Sequence, residues 1–470
     1  MSELLTALMS AVGAHHVHHD GDLTAWELDW RKRYRGRALA VVRPASTAEV
    51  AAVLRTCAAH DAGVVPQGGN TGLVGASVPD ATGTQVLLSL TRLNRIRSFD
   101  AANLTLTAEA GCVLQAVQEA AAAQGLMFPL SLAAEGSCTI GGNLATNAGG
   151  TQVLRHGNAR ELCLGLEVVT PDGEIWDGLS GLRKDNTGYS LRDLYIGSEG
   201  TLGVITAATL KLSPQPAARM TALAACASLD TAVALLQLAQ ARLGAGLTGF
   251  EVMGELALAL VARHFPQLRR PLAADTASPW TVLLELSDGE AEAHARSRFE
   301  GLLESALERG LIADAAVAES VSQSRAMWQL REAIPLAQAE EGPNVKHDIA
   351  LPISHIPAFV AATDAALAQA FPGIRLVDFG HLGDGNLHYN VQAPDGVAPA
   401  HFLRDCEQAI NTLVYDAVCR HGGSISAEHG IGALKRDELA ARKSPVALAL
   451  MRAIKCALDP HGRMNPGRLL

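Results

Sequence analysis

Pro66-Gln67-Gly68-Gly69-Asn70-Thr71-Gly72 follows a short β-rich end, Val64-Val65. A second stretch of the same texture comes later: Ser137-Cys138-Thr139-Ile140-Gly141-Gly142-Asn143-Leu144-Ala145-Thr146-Asn147-Ala148-Gly149-Gly150. Where side chains are missing, backbone N–H groups can approach an anion, and successive amides form a concave nest. Neither stretch is GxGxxG or GxxxxGK[ST], which disfavours a standard nicotinamide site and a P-loop. One such loop is as readily a structural turn as a cradle. Two long loops rich in Gly, Asn and Thr can wrap a long ligand with a pyrophosphate in its middle. The reading is a dinucleotide cofactor, and the loops alone do not say which.

Outward from these loops, Ala38–Arg43 is a β-rich run. Ser46 and Glu49 stand at capping-box spacing before an Ala/Val helix that runs to about His60. This β-α-β rhythm suggests an α/β start. Strands are expected near Val86–Ser89 and Leu104–Ala108, and a helix near Val113–Ala123. Asp172-Gly173 between β-formers predicts a hairpin, and Ser213-Pro214-Gln215-Pro216 reads as a boundary. From residue 217 amphipathic Ala/Leu helices appear, at about Asp230–Leu243, Glu290–Arg309, Ile356–Ala370 and Ala400–Arg420. Strand candidates lie between them at Trp280–Leu286, Ile374–Phe379 and Leu387–Gln392. Four segments follow: 1–35, 36–215, 216–422, and 423–470, the last a helix and an extended terminator.

The chain has 470 residues, 48% hydrophobic and 18% charged, enough for roughly two or three well-packed domains. A net charge of -10 argues against a nucleic-acid partner. The apolar stretches are short and interrupted by charge, so no integral membrane segment is expected. Met1–Ala14 lacks a basic start and a cleavage signature. Eight scattered cysteines without CxxC read as reduced, mostly buried thiols of a cytoplasmic protein.

The chemistry concentrates in Gly380-His381-Leu382-Gly383-Asp384-Gly385-Asn386-Leu387-His388-Tyr389-Asn390. Asp384-Gly385 between apolar runs predicts a two-residue type I′ hairpin. That register puts His381 directly opposite His388, with Asn390 on the same face. Two imidazoles so placed can share a divalent ion; the bland alternative is an ordinary cross-strand pair. In Ser424-Ile425-Ser426-Ala427-Glu428-His429-Gly430, Glu428 can complete a His₂Glu set that leaves positions open for substrate, the arrangement of catalytic rather than closed structural zinc. His429 is then a candidate free base. Arg331, ending a helical run stopped by Pro335, is a candidate carboxylate clamp, and Lys346 a point-charge partner. Their bland alternative is a pair of solvated surface cations. The run His15-His16-Val17-His18-His19 reads as solvated, Trp26, Trp30 and Tyr34 as core or docking surface, and Lys184–Tyr189 as a loop.

PQGGNTGLVG (66–75), SCTIGGNLATNAGG (137–150), GSEGTLGVIT (197–206) and DPHGRMNPGRLL (459–470) resemble the FAD domain of the vanillyl-alcohol oxidase/para-cresol methylhydroxylase superfamily. GHLGDGNLHYNV (380–391) and SAEHGIGALK (426–435) resemble its D-2-hydroxyacid dehydrogenase branch. The resemblance implies an α+β fold with three parts: a two-subdomain FAD-binding domain, an α+β cap domain with an antiparallel sheet, and a C-terminal helical segment returning to the FAD domain. It implies FAD held by Pro66, Gln67, Gly68, Gly69, Asn70, Thr71, Gly72, Ser137, Gly141, Gly142, Asn143, Thr146, Asn147, Gly149, Gly150, Val204, Ile205 and Asn465. Neither loop has a histidine for a covalent flavin link, so noncovalent FAD is expected.

The resemblance further implies that His381, His388 and Glu428 hold a divalent metal, usually zinc. His429 is then the catalytic base and a substrate contact, and Asn390 also touches substrate. Arg331 and Lys346 match residues that bind the distal carboxylate in hydroxyglutarate-type members, but Pro335 stands where those members usually carry a hydroxyl. The implied reaction is oxidation of a small D-2-hydroxyacid to the 2-oxo acid by hydride transfer to flavin N5, with D-2-hydroxyglutarate leading and D-lactate or glycolate the alternative. The implied acceptor is an electron-transfer flavoprotein or a quinone-linked carrier. A non-catalytic electron-transfer subunit and a plain metal hydrolase are the competing classes. The oligomeric state, a homodimer included, stays open.

Overall fold

A computed structural model describes residues 2–273 and 278–470, so the first residue of the Met1–Ala14 segment lies outside the described residues. The chain divides into two compact units, one of Met1–Gly149, His156–Gln215 and Glu428–Leu470, the other of Gly150–Arg155 and Pro216–Ala427.

The first unit holds two main sheets. In one, Ala38–Val42, Gln85–Ser89 and Val64–Gln67 run parallel. The expected helix spans Thr47–Ala59 and is capped as its spacing predicts: Glu49 N–H donates to Ser46 Oγ at 3.2 Å. The Glu49 carboxylate accepts in return from Ala45 N–H at 2.7 Å, one residue earlier than a strict capping box. The other sheet is five-stranded and antiparallel, ordered Ile96–Asp100, Thr105–Glu109, Val204–Lys211, Cys163–Val169, Ile175–Gly178. Its last two strands form the hairpin around Asp172-Gly173. The helix Pro445–Leu458 leads into the C-terminal segment, where Val64 N–H donates to Arg463 O and Asn465 N–H to Val64 O, so the extended terminator extends the parallel sheet.

The second unit is built on one antiparallel seven-stranded sheet, ordered Asp314–Val317, Ala218–Cys226, Trp280–Asp288, Leu247–Gly254, Arg375–His381, Asn386–Gln392, Val345–Ala350. Side chains alternate between its faces. One face, with Phe250, Val252, Leu387, Tyr389 and Val391, packs in a core shared with the long helices Leu229–Leu243, Glu292–Glu308, Ile356–Ala370 and Pro399–Arg420. The other face carries Leu223, Met253, Leu283, Val377 and Phe379 under the helices Glu255–His264, Val321–Glu332 and Ile334–Glu340. The helical run ending at Arg331 does break, at Ala333. Pro335, however, sits in the first turn of the next helix, where its missing N–H has no intrahelical partner to lose.

The eight cysteines are all free, five of them buried. Burial pushes the thiols of Cys57, Cys163 and Cys226 up to about 12, so they stay protonated and inert at neutral pH. Among the described residues no helix is long and apolar enough to cross a membrane.

Candidate active site

The two glycine loops of the first unit pack backbone to backbone. A Cβ on Gly69 would collide with the Ser137 carbonyl, and one on Gly68 with the Thr139 hydroxyl. Around this contact opens a cleft lined by Pro66, Gln67, Gly68, Gly141, Gly142 and Thr146. Ala76, Ser77, Ser198, Glu199, Gly203, Val204 and Ile205 complete its wall. Glycines and other small residues make up much of the lining, so backbone can approach a long ligand closely there. Among the described residues, no histidine, cysteine or tyrosine lines it.

Other expected cofactor residues shape this cleft from behind. Asn70, at φ +53°, donates to Leu28 O at 2.9 Å and accepts from Ser77 Oγ at 2.9 Å. Asn143 is buried, and Asn147 Oδ1 accepts from Arg160 N–H at 3.0 Å. Asn465 donates to Ala76 O at 2.9 Å and Glu199 O at 2.7 Å, tying the C-terminal segment to two residues of the cleft wall. Nothing lies within 4 Å of a Cβ built on Gly72, whereas one on Gly149 would sit 2.6 Å from Glu428 Oε1. Thr71, Ser137 and Gly150 belong to the same two loops. Gly69→Ala should cost about 1–3 kcal/mol of overpacking. The expected result is folded protein with less flavin per polypeptide, read from visible absorbance; full flavin content would show that the loops can part freely.

Glu199 anchors the segment that carries Glu428 and His429. Its carboxylate accepts from Ile431 N–H at 2.8 Å and Gly432 N–H at 2.7 Å. Burial pushes the Glu199 carboxyl up, and these two hydrogen bonds work against that. A Cβ on Gly432, at φ +54°, would collide with the Val74 carbonyl, which accepts from Ala433 N–H at 3.0 Å.

In the second unit the histidine hairpin departs from the expected register. His381 pairs with Asn386, and His388 pairs with Phe379 rather than His381. A type I′ turn needs both central residues at positive φ. Gly385 is at φ +85°, but Asp384 is not among the residues with positive φ. The chain instead forms a four-residue loop, Leu382–Gly385, in which Gly385 N–H donates to His381 O, while Gly383 N–H donates to Phe250 O at 3.1 Å. The slip is two residues, and strand side chains alternate with period two, so both imidazoles still share one face. Their ring centroids lie 5.5 Å apart.

That face gathers most of the expected residues. Asp348 pairs with His388 and Lys346 with Asn390 along the edge strand. Asn390 Oδ1 accepts from His347 N–H at 3.2 Å, and its amide donates to Gln338 Oε1 at 3.0 Å. Asp348 Oδ1 lies 3.9 Å from His388 Nδ1, and its other oxygen accepts from Ala427 N–H at 3.2 Å. The chain therefore leaves this unit, at Ala427, beside the strand pair that carries His388. Glu428 and His429 are the next two residues, and consecutive Cα atoms are about 3.8 Å apart.

Arg331 is buried rather than solvated. Its Nε donates to Glu251 Oε2 at 2.8 Å, and its guanidinium lies over the Phe379 ring, 4.8 Å from the centroid. The other oxygen of Glu251 accepts from His381 Nδ1 at 2.7 Å. Burial favours the protonated acid, but the charges of His381 and Arg331 outweigh it and hold Glu251 at about 2. Asp384, in the loop, is pushed up to about 6, first by burial, with Glu251 and Asp348 adding to the rise against His381. Three carboxylates gathered around two imidazoles favour an added cation. With Nδ1 of His381 donating to Glu251, Nε2 is the nitrogen able to ligate one.

Glu251 and Gln338 escaped the sequence reading. Glu251 did carry a signal: it is the lone charge in the apolar run Leu247-Thr248-Gly249-Phe250-Glu251-Val252-Met253, and a charge inside a buried strand needs partners.

Residues 215–469 match the family of FAD-linked oxidase C-terminal domains, and residues 38–178 match the FAD-binding domain family. The chain belongs to the FAD-linked oxidase family and is an FAD-dependent dehydrogenase. It is 42% identical, over 99% of its own length and 96% of the relative's, to the D-2-hydroxyglutarate dehydrogenase of Xanthomonas citri pv. viticola. To the mitochondrial D-2-hydroxyglutarate dehydrogenase of Arabidopsis thaliana it is 38% identical over 94% of this chain and 77% of the relative. The fold is similar to that of p-cresol methylhydroxylase, with a TM-score of 0.77 at 15% identity, covering 99% of this chain and 96% of that one.

Proposed function

We propose that the protein oxidises D-2-hydroxyglutarate to 2-oxoglutarate, using noncovalent FAD and a divalent metal ion, with zinc the expected ion. The observation that carries this reading is the buried array Arg331–Glu251–His381, which puts a guanidinium beside a ligand-ready imidazole on one sheet face. The names of the relatives support the same substrate. When bound, FAD supplies the hydride acceptor, and the ion, held by His381, His388 and Glu428, polarises the hydroxyl. Arg331 and Lys346 receive the distal carboxylate, and Asn390 orients the substrate. His429 removes the hydroxyl proton as general base. The electrons then pass to an electron-transfer flavoprotein or a quinone-linked carrier.

D-lactate or glycolate is the second reading, favoured by Pro335, which offers no hydroxyl to a distal carboxylate. Anaerobic titration separates the readings. Bleaching of the flavin by D-2-hydroxyglutarate, and its loss with a chelator, is the expected result. Bleaching by D-lactate alone selects the second reading, and no bleaching by any 2-hydroxyacid points to a subunit that only passes electrons. A charge-assisted contact is worth about 1.5–3 kcal/mol, so Arg331→Met should raise KM for D-2-hydroxyglutarate roughly ten- to a hundred-fold. The rise for D-lactate should be far smaller; equal rises would remove the dicarboxylate argument.

A further inference from the structure

We infer that Glu251 is a positioning residue that locks the metal-binding imidazole and the substrate's carboxylate clamp into one rigid frame, and so sets the length of hydroxydiacid the site prefers. The inference rests on the reading of His381 as a metal ligand and Arg331 as the clamp. Both carboxylate oxygens of Glu251 are committed, Oε1 to His381 Nδ1 at 2.7 Å and Oε2 to Arg331 Nε at 2.8 Å. Its strand, Leu247–Gly254, is bonded on both sides, to Trp280–Asp288 and Arg375–His381, and all eight of its residues are buried. Glu251 therefore has little freedom to follow either partner.

Two consequences follow from this bonding. The proton on His381 is kept at Nδ1, which leaves the Nε2 lone pair for an ion. The Nε edge of Arg331 is occupied, so the Nη groups are left to face a ligand, in a plane fixed over the Phe379 ring at 4.8 Å. Phe379 closes the frame on the far side, its ring 4.9 Å from that of His388. A substrate whose hydroxyl end meets the ion and whose far carboxylate meets Arg331 must span the distance this frame sets. A dicarboxylate one carbon shorter or longer must strain or leave one end unpaired.

The test uses the flavin-loaded protein, stripped of metal and titrated with Co²⁺, whose visible spectrum reports ligand geometry. Glu251→Gln keeps the shape and removes the charge. Its Co²⁺ affinity should fall about ten- to a hundred-fold, as for loss of other carboxylates behind metal-bound histidines. The preference for D-2-hydroxyglutarate over D-malate and D-2-hydroxyadipate, as a ratio of kcat/KM, should flatten. Arg331→Met should raise KM yet leave Co²⁺ affinity unchanged. If Glu251→Gln does not fold, Glu251→Leu with Arg331→Met removes the pair without leaving a buried charge unpaired and should show the same loss of affinity. Wild-type affinity together with wild-type chain-length preference in a folded Glu251 variant would overturn the inference. Wild-type protein that binds no Co²⁺ would instead defeat the metal reading beneath it.

Discussion

Replacement of His429 by asparagine should slow flavin reduction by about a hundred- to ten-thousand-fold, the range for loss of a positioned general base. The flavin should stay bound. The segment around His429 is held by backbone groups: Ile431 and Gly432 N–H on the Glu199 carboxylate, and Ala433 N–H on Val74 O. None of these contacts uses the imidazole, so the loop has its own reasons to keep its path when the ring is gone. Rapid mixing with D-2-hydroxyglutarate without oxygen isolates the chemical step. A reduction rate near that of the unaltered protein would place the base elsewhere.

Loss of the proposed ion should be as severe. Stripping it with a chelator, or removing one ligand with His388→Ala, should reduce the rate of flavin bleaching roughly a thousand-fold or more. Such an ion is worth several kcal/mol at the developing alkoxide, and each 1.4 kcal/mol is about tenfold. His388 sits mid-strand, with Phe379 opposite it on one side and Asp348 on the other, so truncating its side chain leaves the backbone ladder intact. Zinc added back should restore the stripped protein and not the variant. Undiminished bleaching by metal-free protein, checked by elemental analysis, would leave the histidine pair with a purely structural role.

Much of this site is legible along the chain because its parts are local. The capping residues of Thr47–Ala59 lie within four positions of one another, and Ser46 and Glu49 do what their spacing predicts. In the hairpin the structure overturns both the expected turn type and the direct opposition of His381 and His388, and keeps only their shared face. Asp384 does not enter the left-handed region, the loop lengthens to four residues, and the pairing slips by two. A slip of one would have sent His381 and His388 to opposite faces; a slip of two preserves the face.

By itself, then, the amino-acid order determined the glycine loops that shape the cofactor cleft and the face shared by the two imidazoles, since both depend on backbone rules acting over a few residues. Only the tertiary structure decided that Arg331 is buried and that Glu251, 130 positions before His381, binds both it and Arg331. That meeting depends on which strand lies beside Arg375–His381, a choice made by packing two faces of one sheet under separate sets of helices. Such long-range pairing leaves no periodicity in the chain. Its one local trace is a lone carboxylate in an apolar run, where a buried charge must find its partners.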